Sequence, residues 1–202
     1  MKNLSTINRI KFQYLSLASL LTFSELVSAH VGSLPNVGFG YGFQHPLFGL
    51  DHFLVMLGLG LWASMQKHRF AKRSMVLFLL FMSAGAELGL IGFRFAMIET
   101  AILVSLLSVG IILSVGIVKI PKVLALMSIS IFAITHGLAH AYEIPLAASG
   151  YAYIVGIVSG TAVLLAFGWL MGRLAQRINA AGLIRTYGAI TGLIGIWLLF
   201  AA

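Results

Sequence analysis

The stretch Leu47–Gln66, LFGLDHFLVMLGLGLWASMQ, is followed at once by KHRFAKR at positions 67–73. Twenty residues carry one formal charge, Asp51; the next seven carry four, at Lys67, Arg69, Lys72 and Arg73. A helix rises about 1.5 Å per residue, so such a run reaches across a hydrocarbon core of roughly 30 Å. A basic cluster at the end of an apolar helix is where a membrane protein records its orientation. The stretch therefore predicts a membrane-spanning helix rather than a buried helix of a soluble domain.

The same pattern recurs along the chain. Further apolar segments lie at about 74–93, 99–118, 122–141, 151–172 and 182–201. Across all 202 residues, 60% are hydrophobic and 9% charged, with a mean hydropathy of +1.02. These values place the chain among polytopic membrane proteins. The absence of cysteine excludes disulfides and thiolate metal sites. A net charge of +8 does not imply nucleic acid, because the cations fall between the apolar runs. Lys67, Arg69, Lys72, Arg73, Lys119, Lys122, Arg173, Arg177 and Arg185 occupy alternate gaps, and the other gaps hold only Arg94. By the positive-inside rule the first set is cytoplasmic.

Upstream, Lys2, Arg9 and Lys11 precede an apolar stretch from Tyr14 to Phe23, and Val27-Ser28-Ala29 offers small residues at a cleavage site. Residues 1–29 thus read as a signal peptide, leaving 30–202 as the membrane domain with both mature termini external. The fold class is all-α, six transmembrane helices after a cleaved signal peptide. Four small-xxx-small patterns, at Gly85/Gly89, Gly156/Gly160, Gly168/Gly172 and Gly188/Gly192, predict close helix packing.

Against this background two segments stand out: His45-Pro46-Leu47-Phe48-Gly49-Leu50-Asp51-His52 and Thr135-His136-Gly137-Leu138-Ala139-His140-Ala141-Tyr142-Glu143. Ionisable groups inside a membrane are costly and mark function by default. Pro46 suits a first helical position, placing His45 near the N-cap, with His52 two turns on along nearly the same face. His136, His140 and Glu143 share one face at i, i+4 and i+7. Since the two helices run in opposite directions, His52 and His136 fall at a similar depth near the outer face. Glu87, on the second helix, falls at that depth too. Asp51 can orient a histidine instead of binding metal. His68 reads as a solvated loop residue and Met56 as core. Imidazoles and carboxylates without thiols select a borderline dication such as Ni²⁺, Co²⁺ or Zn²⁺.

The motifs His45-Pro46-x-x-Gly49-x-Asp51-His52 and His136-Gly137-x-Ala139-His140-x-x-Glu143 resemble the signatures of the HupE/UreJ family, membrane permeases for nickel or cobalt. The resemblance covers nearly the whole chain, with Ala141 standing where many members carry a second glycine. It implies His45, Asp51, His52, His136, His140 and Glu143 as the metal-handling set. To these the sequence reading adds Glu87, and His30, which cleavage after Ala29 would expose with its free amine under the glycine-rich segment from Val31 to Gln44.

The expectation is an inner-membrane permease, not an enzyme, that carries Ni²⁺ or Co²⁺ inward as its transported ion, with no catalytic cofactor. Its partners are the divalent ion and the lipid bilayer, with no nucleic acid and room for a homo-oligomer. The alternative from another class is a zinc-dependent intramembrane hydrolase, since histidines and an aspartate can also hold a zinc-bound water.

Overall fold

Long runs of Leu, Ile, Val, Ala and Phe without interior charge leave the backbone no partner but itself, and helices satisfy it throughout. The computed structural model describes residues 37–201 except 118, 119 and 147. The proposed signal peptide, His30 and Lys119 lie outside the described residues. Seven helices are present: α1 (Val37–Phe48), α2 (Leu50–Ser64), α3 (His68–Leu90), α4 (Ile98–Val115), α5 (Lys122–Tyr142), α6 (Gly150–Arg177) and α7 (Gly182–Ala201). Five of them, α3 to α7, are singly long and apolar enough to cross a membrane, and α1 with α2 makes a sixth span if counted as one. The chain is a multi-pass, all-helical membrane protein.

The first span differs from the sequence expectation. A single straight helix from about residue 47, opened by Pro46, is replaced by two helices that meet at Gly49 with a bend of 76°. Helix α1 begins ten residues earlier, in the segment expected to be a loose glycine-rich cover, and Pro46 lies inside it. Gly49 is extended (φ −73°, ψ 111°), which ends one helix and caps the next. Proline and glycine are the usual causes of so sharp a kink. What holds α1 is its contact with α6: a Cβ on Gly42 would collide with the Tyr153 carbonyl, and one on Gly156 with that of Phe39. The spacing Gly38-x-x-x-Gly42-x-x-x-Pro46 was the available signal, a small-residue stripe that composition alone disguises as a flexible linker.

Small residues set the other crossings as well. Helix α3 packs along α5, with Gly85 against Ile134 and Gly137 against Met82, so these two run parallel. Gly60 of α2 meets Leu165 and Gly168 of α6, again in parallel, whereas Gly110 of α4 meets Gly188 and Gly192 of α7 in antiparallel fashion. These directions put the α2–α3, α4–α5 and α6–α7 connections at one end of the bundle. That end carries Lys67, Arg69, Lys72, Arg73, Lys122, Arg173, Arg177 and Arg185, and we call it the basic end.

Candidate metal centre

At the opposite end, α5 is regular through its last turns, and the periodicity of 3.6 puts His136, His140 and Glu143 on one face as expected. The elbow between α1 and α2 supplies the other half. On a straight helix, residues seven apart are separated by about 10 Å along the axis. The His45 and His52 rings are instead 5.6 Å apart between centroids, because the 76° bend folds one toward the other. Sequence spacing predicted the right pair for the wrong geometric reason.

Ligand atoms of His45, His52, His140 and Glu143 all lie within 4.8 Å of one another. The imidazoles form a continuous line: His45 to His140 is 5.0 Å, His140 to His52 is 4.5 Å, and His52 to His136 is 5.3 Å between ring centroids. Exposure falls along this line. The side chains of Glu143 and His45 are 46% and 26% exposed, His52 and His140 are buried, and His136 is wholly inaccessible. The site thus has a mouth and a depth.

Hydrogen bonds fix which nitrogens are available. An aspartate oxygen only accepts, so His52 Nδ1–H donates to Asp51 Oδ1 at 2.8 Å. A carbonyl also only accepts, so His136 Nδ1–H donates to Phe132 O at 2.7 Å. Both rings are then left with a bare Nε2 lone pair. This is the arrangement of metal-binding histidines, whose second nitrogen donates to a carboxylate or carbonyl. Asp51 also accepts the His52 backbone N–H at 2.8 Å, which locks its carboxylate in place. His45 Nε2 lies 3.0 Å from Glu143 Oε2, and His140 Nδ1 lies 3.5 Å from the same oxygen. Partial burial pushes the Glu143 carboxyl up, but the imidazoles of His140 and His45 beside it more than offset this, holding it well below the usual carboxylate range.

Among the described residues, His52 Nε2, His136 Nε2 and both nitrogens of His140 are buried without a hydrogen-bond partner. An unpaired buried polar atom costs on the order of 1–3 kcal/mol, which packing alone would not retain three times in one cluster. These donors fit a borderline dication.

Two expected residues are placed elsewhere. Glu87 is level with the centre, since its neighbours Gly85 and Gly89 meet Ile134 and Ala141, yet it is exposed. It stands two residues, about 200°, from the face that meets α5, so the shared depth was right and the face was not. Glu99, expected at the rim, is exposed as well. His68 is exposed at the start of α3, with its ring 5.8 Å from that of Trp169. Met56 is fully buried in the core.

Two neighbours escaped the sequence reading. Tyr153 of α6 sets its ring 6.1 Å from His45, and Phe78 of α3 sets its ring 6.1 Å from His136. Tyr142 fastens the α3–α4 loop beside Glu143: its hydroxyl donates to Phe93 O and accepts from Phe95 N, while Arg94 lies 4.5 Å above its ring. Aromatic residues are common in apolar helices, and nothing in their spacing marked these three.

Comparison with known proteins bears on the whole chain. The family described as HupE / UreJ protein matches residues 18–198. Protein HupE of Rhizobium leguminosarum bv. viciae is 33% identical over 181 residues, covering 89% of this chain and 93% of that protein. No solved structure matches.

Proposed function

Because this chain belongs to the HupE/UreJ family, we propose that it is a permease of the inner membrane that admits Ni²⁺ or Co²⁺ through the histidine cluster. The observation that carries the proposal is the convergence of His45, His52, His140 and Glu143 within 4.8 Å from three helices. On this reading the basic end faces the cytoplasm and the mouth at His45 and Glu143 faces outward, so both mature termini are external.

Glu143 at the mouth attracts the hydrated dication, and neutral imidazoles replace its waters one at a time. Asp51 holds His52 in the tautomer that offers Nε2. His136, with its own Nε2 bare, is the next station inward. The membrane potential suffices as a driving force: a dication gains roughly 4.6 kcal/mol per 100 mV. In keeping with a transporter family, the chain is read as a carrier and not as the zinc hydrolase considered as the alternative. His30 would join the mouth after cleavage, a role tested by His30→Ala in the correctly processed chain.

The decisive experiment compares uptake of Ni²⁺, Co²⁺, Zn²⁺ and Cu²⁺ in intact cells expressing the protein. Accumulation of Ni²⁺ or Co²⁺ that disappears in His52→Ala supports the proposal. Transport of none of the four overturns it. Reporter fusions after residue 70 and after residue 147 test the orientation, and activity outside at the first and inside at the second would reverse it.

A further inference from the structure

We infer that the cavity between α2, α4 and α5 is a water-filled exit vestibule, into which the ion passes from His136 on its way to the basic end. The inference rests on the transport reading above. The cavity measures ≈ 220 Å³ and is lined by Leu59 and Trp62 of α2, Ser108 of α4, and Ser128, Ile129 and Phe132 of α5.

Its position follows from the two helices that hold the histidines. Passing down α5 from His136, the same face presents Phe132, Ile129 and Ala125, at intervals of three to four residues. Passing down α2 from His52, it presents Met56, Leu59 and then Trp62. The cavity starts at Phe132, the residue whose carbonyl accepts the His136 Nδ1–H. It continues to Leu124 and Ile120, beside Lys122 at the basic end. Between the cluster and the cavity stand only side chains: Phe132, and Met56, which is completely buried. The ion's path is therefore closed by one apolar layer, about a helical turn thick.

Two further observations say that the cavity holds water. The Trp62 indole Nε1–H, itself buried, has no hydrogen-bond partner, and an unpaired donor beside a space of this size is satisfied by water. The Ser108 hydroxyl donates to Val104 O at 2.7 Å, which leaves its oxygen free to accept from a hydration shell. At about 10–15 Å³ for each water, the volume takes roughly fifteen, against about six in an octahedral shell. An ion that gave up its waters to imidazoles can recover them here before it leaves. An apolar layer above a wet cavity is also a gate that closes by dewetting.

The chain contains no cysteine, so single thiols can be introduced into the unmodified sequence. Ser108→Cys, Ser128→Cys and, as a lipid-facing control, Val163→Cys would be treated in sealed vesicles with a charged, membrane-impermeant thiol reagent on either face. The expected result is modification of the first two from the basic face only, and none of Val163→Cys. Modification at residue 128 should then cut Ni²⁺ flux at least about tenfold, by blocking the passage, while Ni²⁺ affinity at the histidine cluster stays unchanged. Reaction of both cysteines only with a lipid-soluble maleimide would make the cavity an acyl-chain crevice and overturn the inference. Modification without loss of flux would overturn it too. Failure of the transport reading is distinguishable, because unmodified protein would then carry no Ni²⁺ whatever the labelling pattern.

Discussion

The elbow at His45–His52 and the straight end of α5 at His136–Glu143 deliver the same chemistry by opposite means. In α5, helical periodicity does all the work: i, i+4 and i+7 put three polar groups on one stripe. In the elbow, periodicity would keep the two histidines apart, and a 76° bend brings them together. A regular helix spaces ligands along its axis, and a dication needs them around a point. One broken helix set against one intact helix resolves that conflict, since the break converts axial distance into convergence.

The comparison can be broken most severely at the two residues where the halves meet, the His52 and His140 rings 4.5 Å apart. His52→Ala or His140→Ala should lower Ni²⁺ affinity of the purified protein on the order of a hundredfold or more, read by titration calorimetry, with the protein still folded. Near-normal affinity in both would make the cluster a packing feature. Next comes Asp51→Asn, which keeps the shape but removes the charge that fixes the His52 Nδ1–H. A loss of about 10- to 100-fold is expected, the usual effect of a residue that orients a ligand.

Gly49→Ala sharpens the contrast between bend and helix. Its φ of −73° suits any residue, and a Cβ would meet only His45 O, His52 Nδ1 and Asp51 Oδ1 at ordinary distances. Alanine nevertheless favours a continuous helix by about 1 kcal/mol, which predicts a roughly fivefold weaker site. If affinity is unchanged, packing of α1 on α6 holds the bend without help from the glycine. Glu87→Gln should do least, within about twofold in uptake at limiting Ni²⁺, as expected of an exposed side chain off the site. A tenfold loss would return Glu87 to the ion's path.

Much of this was legible in the residues. The spans α3 to α7 follow from apolar runs separated by cations, because a membrane permits no other backbone solution. The α5 stripe follows from its spacing, because nothing interrupts its helix. The start of α1 was not legible: a run with glycine at every second position from Gly38 to Gly42 looks flexible until α6 supplies the surface its small residues fit. Glu87 was misplaced for a related reason, since depth along a helix is additive in sequence whereas the facing direction depends on which neighbour packs there.

By itself, then, the sequence determined the helical class, the ligand chemistry and the half of the site that a single unbroken helix carries, all consequences of local periodicity and of the cost of charge in lipid. Only the tertiary structure decided that His45 and His52 converge, that Glu87 turns away, and that a cavity opens below Phe132. Each of these depends on contacts between residues roughly fifty to a hundred positions apart, and those contacts are set by which small residues let two helices touch.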